Sequence, residues 1–329
     1  MPDLYDVAAI GNAIVDVISP ATDDFIAGQN LTKGAMMLVD AEQSAALYAK
    51  MAPGVETSGG SAANSIAGLA SFGGKGAFLG KVASDQLGAV FAHDMRAIGA
   101  HFQNPPLTGG PATAVSMINV TPDGQRTMCT YLGASVQFTD ADVDAQVIEA
   151  AKIVYLEGYL FDAEAARRAF AKAAALAHGS GRMIALTLSD SFVVERHREG
   201  LLGFIETQVD LLFANESEVT ALFQTDSFDK AVEALRPRVT LAAVTRSEQG
   251  SVILTEGERL TVAAEPVEKV VDTTGAGDQY AAGFMFGLAR GRPLQQCGKL
   301  GSLAAAEVIS HYGPRPQVSL KDLAASKGY

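Results

Sequence analysis

Cysteine is scarce in this chain of 329 residues, which contains two, Cys129 and Cys297, without a C-x-x-C spacing. A disulfide between them stays open, although two free thiols in a reducing compartment are the simpler interpretation. The amino terminus lacks the basic and long apolar regions of a signal peptide. No apolar run reaches membrane-spanning length without a charge or a turn former. These absences predict a soluble, cytoplasmic protein.

Positive charge is also in short supply, because 25 Lys and Arg face 37 Asp and Glu, which leaves a net charge of −12. Such a balance argues against nucleic acid or an anionic membrane as the main partner. The five histidines lack metal-ligand spacing. No Ser/His/Asp set is visible, and no segment fits the phosphate loop G-x-x-x-x-G-K-[ST]. Small anionic ligands remain compatible, since backbone amides and a divalent metal can bind them locally.

Glycine and apolar residues are plentiful, at 33 glycines and 48% of the chain, which suits a large core with tight turns. From about residue 141 helical and strand-like segments alternate, which predicts a mostly parallel sheet with helices on both faces. The predicted strands are 7–11, 153–156, 183–186, 211–214, 241–245, 251–255 and, before the last glycine-rich turn, 269–271. The predicted helices are 162–177, 216–223, 228–235, 276–289 and 294–310. Short β segments at 112–120 and 126–132 break the alternation and predict a small projecting sheet.

Residues 272–278, with the sequence DTTGAGD, form the most informative stretch. A Gly-Ala-Gly turn that opens a helix directs unpaired N–H groups at one place, with the helix dipole behind them, and so binds anions. Asp278 falls in the first helical turn, where N–H donors are expected to keep it ionised. A proton acceptor beside an anion hole is what transfer of a phosphoryl group onto an alcohol requires.

Two other turns carry candidate ligand groups. In 57–64 a double glycine allows close approach to the backbone, and Asp16, Gly60 and Asn64 together can hold the paired hydroxyls of a polyol such as ribose. An ordinary glycine-rich turn with a capping serine fits equally well. Asn215 and Glu218 follow an apolar run and can order a hydrated Mg²⁺, but taken alone they fit a helix cap with a capping box better.

In this order the motifs resemble those of the ribokinase/PfkB family of carbohydrate and nucleoside kinases, over nearly the whole chain. The likeness runs through the following positions: Gly11-Asn12, Asp16, Gly59-Gly60, 80–88, Asn215, Glu218 and 272–278. It implies an α/β, Rossmann-like ribokinase fold, with a mostly parallel sheet flanked by helices and a small β lid. Residues 1–12, 46–109 and 135–329 would form the large nucleotide-binding domain, and 13–45 and 110–134 the lid.

The resemblance also implies residue roles. Asp278 would be the catalytic base, with Gly275, Ala276 and Gly277 as the anion hole. ATP and Mg²⁺ would be held by Asn215, Glu218, Thr245, Gly250, Thr273, Gly275 and Gly277, with Glu218 reaching the metal through water. The acceptor would be held by Asn12, Asp16, Leu38, Gly60, Ser61, Asn64, Arg126, Met128, Leu132 and Phe192. The chain departs from the family at Ser247, where a glycine is usual, and at Gln279-Tyr280, where Ala-Phe is usual.

Residues 126–134, 158–160 and 188–192 are most similar to the adenosine kinase branch of the family. By that likeness Leu38, Met128, Leu132 and Phe192 would surround a flat base, although such residues are commonly core. The expected reaction is ATP-dependent phosphorylation of the 5′-hydroxyl of a purine nucleoside, adenosine first. Ribose, fructose, inosine and guanosine stay open as acceptors, and a non-catalytic nucleoside sensor is less favoured. A monomer and a homodimer both remain open.

Overall fold

The computed structural model describes residues 4–329, which form two sheets and a set of surrounding helices. The strands are β1 (Tyr5–Ile10), β2 (Ile14–Pro20), β3 (Met36–Leu38), β4 (Val55–Gly59), β5 (Gly76–Leu79), β6 (Ala114–Val120), β7 (Arg126–Tyr131), β8 (Ala151–Glu157), β9 (Met183–Thr187), β10 (Leu211–Asn215), β11 (Leu241–Thr245), β12 (Ser251–Thr255) and β13 (Arg259–Val262). The helices are α1 (Asp23–Gly28), α2 (Ala41–Tyr48), α3 (Ser61–Ser71), α4 (Gln86–Ala97), α5 (Ala145–Glu149), α6 (Glu164–Gly179), α7 (Ser191–Gln208), α8 (Glu216–Leu222), α9 (Phe228–Leu235), α10 (Ala276–Ala289), α11 (Leu294–Val308) and α12 (Leu320–Ser326).

Within residues 4–329 the larger sheet has eight strands in the order β13-β12-β11-β10-β9-β8-β1-β5. The six strands from β11 to β5 pair in parallel, and β12 and β13 add an antiparallel edge. The predicted α/β fold, with a mostly parallel sheet flanked by helices, is confirmed. None of the helices in the described chain combines the length and hydrophobicity that crossing a bilayer needs.

Apolar side chains pack on both faces of the larger sheet, as a parallel sheet covered by helices requires. Alternate residues of β1 divide between two clusters, with Ala8 and Ile10 on the face of α5 to α9 and Val7 and Ala9 on the face of α3 and α10. Each buried Leu or Ile contributes about 1.5–3 kcal/mol to folding. The strand ends that carry polar residues are therefore supported by a closely packed scaffold.

The smaller sheet has the order β3-β7-β6-β2-β4. Val55–Gly59 belongs to it, because β4 pairs antiparallel with β2, whereas the sequence division places 46–109 in the large domain. The segment Val-Glu-Thr-Ser-Gly lacks the apolar alternation by which strands are recognised, so its pairing is visible only in three dimensions. The division into two domains itself stays a prediction.

The prediction of a strand at 269–271 is wrong. This segment has no ladder partner in the described chain, and its Val271 N–H donates to the carbonyl of Ile309, after α11. Two valines beside a glycine-rich turn resemble the end of a buried strand, but the chain here is an extended loop that leads into α10.

Ser247, where the family usually has glycine, adopts the left-handed conformation with φ of 50°. Residues with a side chain are disfavoured in this conformation by about 1–2 kcal/mol. Glycine avoids this cost but is more flexible in the unfolded chain, which offsets part of the gain. We therefore expect Ser247→Gly to raise the free energy of unfolding by about 0.5–1 kcal/mol. Ser180→Gly is the control, since the exposed Ser180 has φ of −107°. Chemical denaturation should show that this control loses stability. Equal losses in both variants would contradict the conformational explanation.

Candidate active site

A cavity of about 540 Å³ lies between the carboxyl edge of the larger sheet and the smaller sheet. Most of the residues that the sequence nominates line it: Asn12, Asp16, Leu38, Gly60, Ser61, Asn64, Met128, Leu132, Phe192, Asn215, Glu218, Thr245, Thr273, Gly275, Ala276, Gly277 and Asp278. Arg126 and Gly250 are not among the lining residues. The carboxyl ends of parallel strands lie at the same edge of the sheet, and this edge is where ligands bind in open α/β sheets.

Asp278 lies in the first turn of α10 and is held by side chains of α3. Ser61 Oγ donates to its Oδ1 at 2.6 Å, and Asn64 Nδ2 donates to its Oδ2 at 3.2 Å. Burial raises the pKa of Asp278 to about 6, while these two donors and the charge of Arg315 lower it. The donors that favour the ionised form are thus side chains of α3, whereas the sequence predicts nearby N–H groups in this role, and desolvation is the larger effect. A carboxyl group with this pKa is still mainly ionised at neutral pH.

The start of α10 provides free N–H groups beside Asp278. Among residues 4–329 no side chain caps this helix, so donors of its first turn are left for a ligand. The N–H of Ala276 is an exception, because it donates to the carbonyl of Thr273 at 3.2 Å. Of the three predicted donors, the N–H groups of Gly275 and Gly277 therefore remain available to an anion.

Arg126 does not line the cavity, although its charge lowers the pKa of Asp16 in the cavity floor. Its Nη1 lies 2.7 Å from Asp272 Oδ2, and both side chains are 8% exposed; its guanidinium also lies 5.4 Å from the centre of the Tyr312 ring. Asp272 in turn accepts from the backbone N–H of Thr274 and of Gly313. The ion pair joins β7 to the loop before α10. The role predicted for Arg126 in holding the acceptor stays a prediction.

Asn12, Asp16 and Glu157 form the polar floor of the cavity. Glu157, which the sequence does not nominate, accepts from Asn12 Nδ2 at 2.6 Å and from the Ala62 N–H at 2.9 Å, and burial raises its pKa to about 7. Within the described chain Asn12 Oδ1 is buried without a hydrogen-bond partner. Burial raises the pKa of Asp16 to about 6. Asn12 Oδ1 and Asp16 thus offer acceptors suited to hydroxyl groups.

Asn64 has a different setting from the one predicted. Besides donating to Asp278, it accepts from Arg315 Nε at 3.2 Å through Oδ1, so both ends of its amide are used within the protein. Sequence reasoning misses Arg315, which lies in a Gly-Pro-Arg-Pro segment after α11 with no recognised motif. The buried Gln279, an unusual residue in the family, donates to the backbone carbonyls of Asn64 and Pro314 and so holds these segments together.

Asn215 and Glu218 form the reciprocal capping box of α8. The Asn215 side chain accepts from the Glu218 N–H at 2.9 Å, and Glu218 accepts from the Asn215 N–H at 2.9 Å. Burial raises the pKa of Glu218 to about 7. In residues 4–329 no group of three His, Cys, Asp or Glu is placed to hold a metal. A Mg²⁺ ion would therefore take its ligands mainly from water and phosphate, and Glu218, which faces the cavity, fits a through-water role.

Gly250 has a conformational role, because its φ is 81° and an added Cβ would lie 2.0 Å from the Val262 carbonyl oxygen. Thr245, at the end of β11, does line the cavity. The apolar residues Leu38, Met128, Leu132 and Phe192 also line it, and Leu38 and Phe192 are 61% and 67% exposed. They are a partly open apolar surface rather than core.

Gly275 and Gly277 make a matched pair for testing the turn. An added Cβ at Gly275, where φ is 80°, would lie 2.7 Å from Pro314 Cα, whereas a Cβ at Gly277 would meet nothing within 4 Å. We expect Gly275→Ala to lower the free energy of unfolding by about 2 kcal/mol or more, and Gly277→Ala to preserve it, since alanine suits a helix. Chemical denaturation measures both. Equal stability of the two variants would contradict the close contact with Pro314.

This chain is similar to several known proteins over most of its length. Residues 29–320 match the profile of the pfkB family carbohydrate kinases. The crystal structure of adenosine kinase from Sinorhizobium meliloti is 52% identical, with a TM-score of 0.91 over 98% of this chain and 99% of that chain. A probable sugar kinase from Rhizobium etli is 49% identical, with a TM-score of 0.92 over 99% of both chains. Adenosine kinase of Saccharomyces cerevisiae is 27% identical over 94% of this chain and 96% of that protein.

The match to the family covers most of the chain, and it includes the turn at the start of α10 with Asp278. The predicted resemblance and the predicted enzyme class are confirmed. The chain belongs to the pfkB family of carbohydrate kinases and is an ATP-dependent kinase similar to adenosine kinases.

Proposed function

We propose that this kinase transfers the γ-phosphoryl group of ATP to the 5′-hydroxyl of a purine nucleoside, with adenosine as the preferred acceptor. The observation that carries the proposal is the placement of Asp278 between free N–H groups of α10 and the polar floor of a cavity with an apolar side. The similarity to the Sinorhizobium meliloti adenosine kinase supports adenosine. The similarity to the probable sugar kinase of Rhizobium etli makes a sugar the second candidate.

In the proposed reaction Asp278 is the proton acceptor. Asn12 Oδ1 and Asp16 accept hydrogen bonds from the ribose hydroxyls, which holds the 5′-hydroxyl toward Asp278. Asp278 takes the proton of this hydroxyl as the hydroxyl oxygen attacks the γ-phosphorus of ATP, while the bond from that phosphorus to the bridging oxygen breaks and ADP leaves. Ser61 and Asn64 keep the carboxylate in place, and the Gly277 N–H stabilises charge on the transferring group. Glu218 would hold a Mg²⁺ ion through water, and the ion would neutralise negative charge on the phosphates.

Asp278→Asn removes the proton acceptor while keeping the shape of the side chain. We expect kcat to fall at least 100-fold, the scale of general acid–base catalysis, with adenosine affinity and unfolding temperature little changed. Asp229→Asn, at an exposed Asp229–Arg259 ion pair, is the charge control. Steady-state kinetics and calorimetry measure these effects.

The wild-type kcat should also fall tenfold for each pH unit below about 6, since the pKa of Asp278 is about 6 and only its deprotonated form accepts a proton. A near-normal kcat in Asp278→Asn would rule out the assignment of the base.

The apolar side of the cavity provides a test of which acceptor the enzyme prefers. Ribose lacks the adenine ring and therefore loses the apolar burial of that ring, which is worth several kcal/mol at about 25 cal/mol per Å². We therefore expect kcat/KM for adenosine to be far higher than kcat/KM for ribose. Phe192→Ala should lower kcat/KM for adenosine about tenfold and leave ribose use unchanged, because ribose does not reach Phe192. A wild-type preference for ribose or fructose, or an equal loss of kcat/KM for both acceptors in Phe192→Ala, would contradict a nucleoside acceptor and favour a sugar acceptor instead.

A further inference from the structure

Arg315 lies behind the cavity, where three segments of the chain meet. Its Nε donates to Asn64 Oδ1 at 3.2 Å, and its Nη1 donates to Ser58 Oγ at 2.8 Å. Its Nη2 is buried and, among residues 4–329, has no hydrogen-bond partner. Arg315 does not line the cavity. It therefore contacts Asn64, one of the two residues that hold Asp278, rather than the space that a substrate occupies.

The chemistry of the guanidinium group determines how Asn64 is oriented. Arginine carries donors and no acceptor, so Asn64 must present its oxygen to Arg315. Its amide nitrogen is then left to donate to Asp278, as the 3.2 Å contact shows. Without Arg315 the amide could rotate by half a turn and direct its oxygen at the carboxylate, which would replace attraction with repulsion.

Charge adds to this effect. Asp16, Asp94 and Asp278 all act on Arg315, and their attraction opposes the lowering of its pKa by burial. Arg315 in turn lowers the pKa of Asp278 and, together with Arg126, that of Asp16. Five further ionisable groups interact electrostatically with Asp278, and each is either acidic or neutral: Asp16, Glu157, Glu218, Tyr155 and Tyr159. Arg315 is thus the cation whose charge favours ionisation of Asp278 within this cluster of carboxyl groups.

We propose that Arg315 is a positioning residue, which fixes the Asn64 amide so that it donates to Asp278 and keeps Asp278 ionised through the working pH range. This inference rests on the proposed role of Asp278 as the base. It assigns a part in the reaction to a residue that lies outside the family motifs of this chain.

The test compares kcat as a function of pH in Arg315→Gln, Arg315→Lys and wild type, with adenosine and, if it is the better acceptor, fructose. The pH dependence of kcat reports groups in the enzyme–substrate complex, where Asp16 is already bound to the acceptor. Loss of a nearby cation raises a carboxyl pKa by about 1 unit or more. The acid limb of kcat should therefore move up by about 1 pH unit in Arg315→Gln and by less in Arg315→Lys, which keeps the charge but cannot contact Asn64 and Ser58 together.

Arg290→Gln is the matched control. Arg290 follows α10 at the end opposite Asp278, and its Nη1 lies 2.7 Å from the buried Asp6. Its loss should change stability without moving the acid limb.

The outcomes are separable. A uniform loss of kcat with an unchanged limb in Arg315→Gln and Arg315→Lys would reduce Arg315 to a structural residue. If Arg315→Gln does not fold, as judged by circular dichroism, the limb of Arg315→Lys decides between the same two results. A wild-type profile with no limb near pH 6, together with an active Asp278→Asn, would instead contradict the proposed function itself.

Discussion

The contact between α3 and α10 is the constraint on which the active site depends. Gln279, fully buried, donates from one amide nitrogen to the carbonyls of Asn64 and Pro314. Gly68 leaves room for it, since a Cβ there would lie 2.0 Å from Gln279 Oε1. This packing brings Ser61 and Asn64 to Asp278 across more than 200 positions of sequence. The start of α10, the carboxylate and its donors are therefore positioned by a single buried junction.

Burial also sets the electrostatics of the cavity. The pKa values of Asp16 and Asp278 are raised to about 6 and those of Glu157 and Glu218 to about 7, in each case mainly by desolvation. Carboxyl groups in such surroundings are costly unless donors or cations satisfy them. Here hydrogen bonds from Asn12, Ala62 and Asn215, and the charge of Arg315, meet that need. The same low-polarity setting strengthens the interaction of the site with a phosphoryl group.

Local signals made much of this predictable from the sequence. The strands that end at Asn215 and Thr245 and the helix at 276–289 follow from apolar patterning, and the anion-binding turn follows from Gly-Ala-Gly before a helix. The features that could not be predicted from the sequence depend on contacts between distant segments. The pairing of β4, the Arg126–Asp272 ion pair and the place of Arg315 beside Asn64 leave no periodic or motif signal. The segment 269–271 has strand-like composition but no partner in the described chain.

If Asp278 is the base, the cavity must present an acceptor hydroxyl to it at the start of α10. A crystal structure of the protein with bound adenosine tests it most directly. We expect the 5′-oxygen within hydrogen-bonding distance of an Asp278 carboxylate oxygen, the ribose hydroxyls bound to Asp16 and Asn12, and the adenine base packed against Leu38 and Phe192. A nucleoside bound with its 5′-oxygen away from Asp278, or with its ribose on the apolar side, would contradict it.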